Sequence, residues 1–362
     1  MEIIYNIKSF DKIFNIKIFI LFLLIIKIIT FKKPRLSVII PIYNIEKYYL
    51  DKILDLLIIQ PLKEIDYILI NDKSTDGTGK YIEKITKMDN RFLIIHNFKN
   101  LGIATSRNIG LNFVISDFIT FSDDDDIFDI DSYKIIINEM EKDRSIDLIQ
   151  FKFICLYNDQ DNLKPYSLYK QPTLKYSLIS DQLSNNLCCT VWDKIFKTET
   201  IFKHQLYFPK TPIFEDGYFL NMISPYIKNK KFINEIFYFW RQRKSSFSHT
   251  RNLNISIQIQ SIKYSLPKVF DSWKKNNVLK NNCKLFYYIF SLDYNFLFKE
   301  NELLIITAFE IFKRYRNMFN LKCIRSSPLE YKLLFIKNLY YYKDWKINTY
   351  ENIIKNKNLC YF

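Results

Sequence analysis

LSVIIPIYN, at residues 36–44, is the stretch that decides the fold. Its apolar run, Leu36–Ile42, ends at polar residues, which is typical of a parallel strand that is covered on both faces. Downstream, apolar residues recur at helical spacing over residues 46–59, and the alternation of strand and helix continues to residue 121. The further segments are 67–70 (strand), 76–88 (helix), 92–95 (strand), 103–114 (helix) and 118–121 (strand). These repeats predict an α/β domain with a mostly parallel sheet and helices on both faces.

Polar side chains follow each predicted strand, at the edge where an open parallel sheet binds its ligand. They are Tyr43 and Asn44 after the first strand, Asn71 and Asp72 after the second, Asn97 after the third, and Ser122 to Asp126 after the fourth. A carboxylate such as Asp72 can accept a hydrogen bond from a base or a ribose, whereas Asp76 is more simply interpreted as a helix cap. We therefore expect a binding site at this edge of the sheet.

Four consecutive aspartates, Asp123 to Asp126, follow the fourth predicted strand. Adjacent carboxylates repel one another, so some would be protonated or turned into solvent unless a cation lay among them. Mg²⁺ and Mn²⁺ prefer oxygen ligands and usually combine one or two carboxylates with substrate phosphates. The alternative is an acidic helix N-terminus that the helix dipole stabilises. The position at the end of a strand favours a site for a divalent cation and a diphosphate.

Seven short motifs make the sequence resemble the family 2 glycosyltransferases of the bacterial surface-polysaccharide type, which have the GT-A fold. In chain order they are LSVIIPIYN (36–44), ILINDKSTDGT (68–78), NLGIATSRNIG (100–110), FSDDDD (121–126), VWDKIF (191–196), FEDGYF (214–219) and WRQRKSSFS (240–248). The sequence departs from the family pattern at two neighbouring positions. Lys73 stands where the family usually has a glycine, and Asn71 replaces the first aspartate of a pair.

The resemblance implies a set of contacts to a nucleotide-sugar donor, with a UDP-sugar expected. Pro41 and Tyr43, at the end of the first strand, would contact the nucleotide mainly through the backbone. Asp72 would contact the base, and Arg107 would lie near the nucleotide. Arg241 follows a predicted strand at 236–240, and its guanidinium suits the oxygens of a diphosphate.

The resemblance also implies a metal motif and a catalytic base. Asp123 and Asp125 would form the DxD motif that holds Mn²⁺ or Mg²⁺, with Asp125 as the direct ligand and Asp124 nearer the ribose. Asp216 would be the base that deprotonates the acceptor hydroxyl, in a single displacement with inversion. A neighbouring carboxylate, Glu215, can raise the pKa of Asp216 by like charge. On the residues alone, a helix cap is the simpler interpretation of Glu215 and Asp216.

We predict three regions along the chain. Residues 1–34 are a hydrophobic segment, residues 35–250 form the GT-A domain, and residues 251–362 form a basic, aromatic-rich helical region that includes predicted helices at 283–297 and 303–319. Within the GT-A domain, residues 35–126 are the nucleotide-binding half and residues 127–250 the acceptor half. The apolar stretch at 13–31 is either a membrane anchor or interfacial helix, a helix packed on the protein, or an upstream extension from a misassigned start.

The net charge of +15 is unevenly divided along the chain. Residues 35–150 carry −6, from 14 basic and 20 acidic side chains, and residues 220–362 carry +16, from 25 basic and 9 acidic side chains. A basic tail suits either an anionic surface, such as a membrane, or simply a solvated helix face. A nucleic-acid partner is not expected, because the predicted ligand-binding domain is acidic.

Taken together, the sequence predicts an inverting, metal-dependent glycosyltransferase that acts on a glycan or glycolipid acceptor. The scattered cysteines and the lysines that flank residues 13–31 favour a cytoplasmic protein at the cytoplasmic face of a membrane. The alternative is a basic interaction protein, bound to a membrane or to nucleic acid, with a degenerate nucleotide-binding fold.

Overall fold

A computed structural model describes residues 4–6, 33–157, 190–211, 213–242, 255–277, 307, 311 and 314. The chain divides into two compact units, Met1–Asn252 and Leu253–Phe362. The second unit contains one long described helix, Ile255–Lys275, which buries Ile262, Leu266, Phe270 and Trp273. The apolar stretch at 13–31 and nearly all of the helices predicted at 283–297 and 303–319 lie outside the described residues.

In the described residues of the first unit, nine strands form one sheet. In chain order the strands are β1 (Ile4–Asn6), β2 (Leu36–Ile42), β3 (Ile65–Asn71), β4 (Phe92–His96), β5 (Phe118–Phe121), β6 (Ile127–Phe128), β7 (Leu148–Tyr157), β8 (Lys194–Lys197) and β9 (Lys230–Gln242). The helices are α1 (Lys47–Ile59), α2 (Thr78–Thr86), α3 (Ile103–Leu111), α4 (Ser132–Lys142), α5 (Thr198–Lys203) and α6 (Glu215–Ile223), and the helix of the second unit is α7 (Ile255–Lys275).

The strand order is β1-β4-β3-β2-β5-β8-β7-β9-β6. The strands from β1 to β5 in this order run parallel, β8 is antiparallel to both of its neighbours, β7 and β9 are parallel, and β6 is antiparallel to β9. The expectation of a mostly parallel sheet in an α/β domain is therefore confirmed. Every residue of β2 and β3 is buried, as expected for strands that are covered on both faces.

The predicted boundaries hold best where the apolar pattern is uninterrupted. The bounds of β2 and β5 are those predicted, whereas α2 begins two residues later than its predicted segment. Gly77 precedes α2 with a left-handed φ of 94°, so helical geometry cannot extend back through it. The N-cap is Gly77, so the interpretation of Asp76 as the cap is wrong by one residue; the Asp76 side chain accepts a hydrogen bond from Thr78 N at 3.0 Å, in a turn just before the helix.

Two close contacts bring the helices onto the sheet and thereby position its carboxyl edge. A Cβ atom at Gly110 of α3 would lie 2.5 Å from Cγ2 of Ile39 in β2, so only glycine lets α3 approach this closely. Gly79 of α2 approaches Asn71 at the end of β3 in the same way, with a Cβ position 2.6 Å from Nδ2. Among the described helices, none is both long and apolar enough to cross a membrane.

Candidate active site

The loops that follow β2 and β3 are joined by side-chain hydrogen bonds. Asn44 N donates to Ser74 Oγ at 3.0 Å, and Thr75 N donates to Asn44 Oδ1 at 2.7 Å. Asn44 and Lys73 both have left-handed backbone conformations, with φ of 46° and 64°. The bracing therefore holds these two loops in a conformation that non-glycine residues rarely adopt. Lys73 is exposed beside this brace.

Asp72 is buried at the end of β3 and organises the loop before α3. Its carboxylate accepts hydrogen bonds from Leu101 N at 2.8 Å, from Gly102 N at 2.7 Å and from Asn97 Nδ2 at 2.8 Å. With three donors already on this carboxylate, the structure gives Asp72 a clear role in fixing the loop that leads into α3. Its contact to a nucleotide base stays a prediction.

The aspartate motif after β5 is anchored to β9 through Tyr238. The Tyr238 hydroxyl donates to Asp126 Oδ2 at 2.7 Å and accepts from Asp123 N at 3.2 Å. Arg241 N donates to the other Asp126 oxygen at 2.7 Å. Asp126 is buried, and burial, followed by the charges of Asp125 and Asp123, raises its pKa well above the usual range. Asp126 is therefore a support of the motif, and Asp123 to Asp125 are its partly exposed members.

The backbone that follows β2 also contacts the aspartate motif. Tyr43 N donates to Asp124 Oδ2 at 3.3 Å, so the backbone after β2 lies beside the motif, and the Tyr43 side chain is half exposed. Pro41 is buried in β2 and pairs with Ile70 of β3. Tyr43, one of the predicted nucleotide-side residues, thus lies next to the motif after β5.

Arg241 lies behind the aspartate motif. Its side chain is buried, Nε donates to the backbone oxygen of Asp125 at 2.8 Å, and its guanidinium lies 4.9 Å from the centre of the Tyr49 ring. These contacts tie α1, β9 and the aspartate motif together. The predicted contact between Arg241 and a diphosphate is not tested by this arrangement and stays a prediction.

Asp216 lies in the first turn of α6, which begins at Glu215. Its Oδ2 accepts from Val191 N at 3.2 Å, and its Oδ1 accepts from Arg107 Nη1. Burial raises the pKa of Asp216 to about 7 against the opposing charge of Arg107, and the charges of Glu215 and Asp123 add to the increase. A carboxylate with a pKa near neutrality is suited to taking up a proton.

Arg107, on α3, connects Asp216 with the aspartate motif. Only 1% of its side chain is exposed, and Nη2 donates to Asp123 Oδ1 at 2.8 Å while Nη1 lies 3.4 Å from Glu215 Oε1. Burial opposes the charge of Arg107, but the surrounding carboxylates outweigh it and raise its pKa. The structure thus brings together Arg107, Asp123 and Asp216, which the sequence predicted as separate site residues.

The sequence did not predict three supporting contacts: that of Asn97 with Asp72, that of Val191 with Asp216, and that of Tyr238 with the aspartate motif. Val191 lies in the VWDKIF motif and Asn97 at a strand end, so both had a local signal. Tyr238 lies inside an aromatic strand, where nothing in the sequence distinguishes its hydroxyl. Its ring stacks on Trp192, with centroids 4.4 Å apart and planes at 12°.

The donor set fits a hard divalent cation that also binds a substrate diphosphate. Within the described ranges, no group of three or more His, Cys, Asp or Glu side chains is arranged to hold a metal ion unaided. Mg²⁺ and Mn²⁺ need only one or two carboxylates when phosphate oxygens complete the shell, and Asp123 and Asp125 can supply those. A cation there would also relieve the repulsion that raises the pKa of Asp126.

Residues 37–204 match the family model described as Glycosyl transferase family 2. Glycosyltransferase GlyA of Streptococcus pneumoniae is 32% identical over 233 residues, which cover 59% of this chain and 31% of GlyA. The uncharacterized glycosyltransferase EpsJ of Bacillus subtilis is 26% identical, covering 59% of this chain and 63% of EpsJ. The cholesterol galactosyltransferase of Borreliella burgdorferi is 28% identical over 289 residues, covering 76% of this chain and 77% of that protein. The chain thus spans less than two thirds of GlyA and of EpsJ.

Among solved structures, S. aureus TarS 1-349 in complex with UDP-GlcNAc superposes with a TM-score of 0.64. The two sequences are 17% identical, and the match covers 84% of this chain and 86% of TarS 1-349. At this identity the likeness concerns the fold.

Proposed function

We propose that this chain is an inverting family 2 glycosyltransferase. It would move one sugar from a nucleotide-sugar donor to a hydroxyl group of a surface-glycan or lipid-linked acceptor. The match of residues 37–204 to the family 2 model and the GT-A fold support this proposal. The observation that carries the proposal is the buried cluster in which Asp216 and the aspartate motif meet at the carboxyl edge of the sheet. Base and diphosphate site thus come from different segments, which a single displacement needs.

Asp216 supplies the proton acceptor of the proposed reaction. The acceptor oxygen attacks the anomeric carbon of the donor sugar, the bond from that carbon to the diphosphate breaks, and the acceptor proton goes to Asp216. The Val191 amide and the Arg107 guanidinium orient the carboxylate, and each of its oxygens keeps a further lone pair for the incoming proton.

Asp123 and Asp125 are the residues that would hold Mn²⁺ or Mg²⁺. When bound, such a cation supplies Lewis-acid stabilisation of the departing diphosphate. Tyr238 and Asp126 keep the backbone of the motif in place from the buried side. Asp124 is proposed to lie nearer the ribose, beside the backbone of Tyr43.

The donor side is formed by the loops after β2, β3 and β4. We assign Pro41, Tyr43 and Asp72 to this side, with Asp72 toward the base, and we assign Arg241 of β9 to the diphosphate. The brace between Asn44 and Ser74 supports a preformed pocket, because it fixes two loops before any ligand binds. A UDP-sugar is the expected donor, and UDP-GlcNAc, the ligand of the TarS structure, is the first to test.

The acceptor and the cellular site follow from the family resemblance and the charge of the chain. The +16 carried by residues 220–362 suits an anionic membrane surface, where a lipid-linked acceptor would lie. We therefore place the protein at the cytoplasmic face of a membrane.

A thermal-shift screen of nucleotide sugars with Mn²⁺ tests donor binding, because a ligand that binds only the folded state raises the melting temperature. We expect stabilisation by one nucleotide sugar, its loss on chelation of the cation, and its loss in Asp125→Ala. Asp55→Asn, an exposed carboxylate on α1, is the matched control and should respond as the wild type does. Stabilisation of Asp125→Ala equal to that of the wild type would contradict the assigned metal site.

A further inference from the structure

One buried guanidinium contacts three carboxylates that come from two distant parts of the chain. Arg107 Nη1 donates to Asp216 and lies 3.4 Å from Glu215, and Nη2 donates to Asp123 at 2.8 Å. Asp123 is 16 residues from Arg107 in the sequence, and Asp216 is 109 residues away. The two ends of one planar fork therefore contact the aspartate motif and the proposed base.

The position of Arg107 is fixed by α3 and by the loop before α6. Gly110 lets α3 approach Ile39 of β2. Asn108 Nδ2 donates to Phe208 O at 3.0 Å, and Asn108 Oδ1 accepts from Phe208 N at 2.8 Å. The Phe208 ring lies 5.3 Å from the guanidinium carbon of Arg107. With packing on all sides and 1% exposure, the side chain has no open path toward solvent.

Burial of this kind ties the guanidinium to its carboxylate partners. A buried charge is stable only when it is paired and hydrogen bonded, so Arg107 is held by the carboxylates and they are held by it. The fork is rigid and planar, so its two ends set the separation of the groups that they contact. Arg107 Nε is buried and has no hydrogen-bond partner among the described residues, so the anchoring rests on the two terminal nitrogens.

We propose that Arg107 is a positioning residue that holds the carboxylate of Asp216 in a fixed relation to Asp123, and so keeps the proton acceptor aligned with the diphosphate site. This inference rests on the proposed function. It differs from the expectation drawn from the sequence, in which Arg107 lies near the nucleotide and contributes to donor binding. Arg107 acts through the carboxylates, and its loss changes turnover more than donor affinity.

The test compares Arg107→Gln and Arg107→Lys with the wild type, using nucleoside diphosphate release at saturating donor. We expect kcat to fall about 100-fold in Arg107→Gln and about 10-fold in Arg107→Lys, because lysine keeps the charge but cannot span both carboxylates. The donor KM and the donor-induced rise in melting temperature should change by less than about threefold. If kcat, measured at saturating donor, stays within threefold of the wild type in both variants, the inference is overturned.

A matched control separates positioning from general destabilisation. Arg91 is also mostly buried, and it pairs with Asp89 at 2.5 Å and donates to Ile58 O at 2.7 Å, but it lies just before β4, at the edge opposite the site. Arg91→Gln should lower the melting temperature and leave kcat within twofold of the wild type. An equal loss of kcat in Arg91→Gln would show that any buried arginine has this effect and would overturn the inference.

A second measurement needs no substrate and so distinguishes failure of this inference from failure of the proposed function. Without the guanidinium, Asp123, Glu215 and Asp216 lose their shared cation, and the repulsion between the two mostly buried carboxylates of α6 is relieved when they take up protons. The stability lost in Arg107→Gln should therefore be larger at pH 8 than at pH 5. An equal loss at both pH values would overturn the inference, even if no donor had been identified.

Discussion

Asp216 shows at the scale of one residue how the fold prepares a proton acceptor. Its carboxylate is mostly buried at the start of α6, with 16% of the side chain exposed, and two donors, Val191 N and Arg107, fix its orientation. Burial alone would keep it protonated, whereas Arg107 alone would keep it ionised, and the balance raises its pKa to about 7. A base with that pKa exchanges its proton readily under neutral conditions.

This balance predicts the pH dependence of transfer. Asp216 must be ionised to accept the acceptor proton, so kcat/KM should increase with pH and level off above an apparent pKa close to 7. A cation on Asp123 would neutralise one of the charges that raise this pKa. The apparent pKa of the rate profile should therefore be at or below 7 when donor and metal are bound. Initial rates from pH 5.5 to 9 measure this increase of kcat/KM with pH. A rate that increased toward low pH would contradict the role of Asp216.

The Tyr238 hydroxyl is a second single-residue case, because it both donates to Asp126 and accepts from Asp123 N. Tyr238→Phe leaves the buried Asp126 without this donor and should cost about 1–3 kcal/mol of unfolding free energy. Donor-induced stabilisation should weaken as well, because the backbone of the aspartate motif loses an anchor. Urea denaturation measures the first effect and thermal shift the second.

Tyr67→Phe is the matched control for that substitution. The Tyr67 hydroxyl is buried in β3 and has no hydrogen-bond partner among the described residues. Its removal should therefore be neutral or slightly stabilising. Equal losses of stability in Tyr67→Phe and Tyr238→Phe would contradict the assigned role of the Tyr238 hydroxyl.

The site residues differ in how far the sequence could reveal them. Asp123 to Asp126 were predictable because four adjacent carboxylates after a strand are unusual, and Asp72 because it ends a strand. The contact between Arg107 and Asp216 was not, since 109 residues separate them and both residues also fit simpler roles. The same holds for Tyr238, whose partner Asp126 is 112 residues away.

At the scale of elements, α3 is the helix on which the site depends. It presents Arg107 to the carboxylates, and it lies close to β2 only because residue 110 is glycine. The sequence predicted the start of α3 correctly but extended the helix to residue 114, where the structure ends it at Leu111. Local apolar spacing continues past that point, and the end of a helix is the part that such spacing defines least well.

Gly110→Ala tests this close approach. In an ordinary helix position alanine would stabilise by about 1 kcal/mol relative to glycine. Here the added Cβ would lie 2.5 Å from Ile39 Cγ2, so we expect a loss of about 1–3 kcal/mol and a lower kcat as Arg107 is displaced. The loss should be smaller in the Ile39→Leu background, which lacks Cγ2. A gain in stability for Gly110→Ala would contradict the close packing of α3 on β2.

The two halves of the sheet differed in how well they could be predicted. Strands β2 to β5 follow one another with short helical crossovers, so each has a local signal. Residues 127–250, the predicted acceptor half, pair β7 with β9 and insert β8 antiparallel between β5 and β7, which joins segments far apart in the chain. The sequence identified only residues 236–240 of the strand that spans Lys230–Gln242.

At the scale of the whole molecule, the charge separates into an acidic region and a basic tail. Residues 35–150 carry −6 and contain the carboxylates proposed to bind a cation, whereas residues 220–362 carry +16. The carboxylates at the strand ends are held by specific partners, which argues against a degenerate fold that serves only as an interaction module. The basic tail is then expected to affect where the protein is located in the cell.

The membrane assignment predicts that the full chain binds vesicles containing an anionic lipid and binds neutral vesicles weakly. Binding should be lost as salt rises toward about 0.5 M, because attraction between exposed charges and anionic headgroups is screened. Co-sedimentation at several salt concentrations measures this. Equal binding to anionic and neutral vesicles, or none to either, would contradict an electrostatic role for the tail.

The central claim is that Asp216 is the base of a glycosyl transfer reaction. The most direct measurement is nucleoside diphosphate release from the stabilising nucleotide sugar with Mn²⁺ and an acceptor, in wild type, Asp216→Asn and Asp55→Asn. We predict that Asp216→Asn is stabilised by the donor as the wild type is, that its kcat is lower by about 1,000-fold or more, and that Asp55→Asn behaves as the wild type. Turnover by Asp216→Asn at the wild-type rate would contradict the claim.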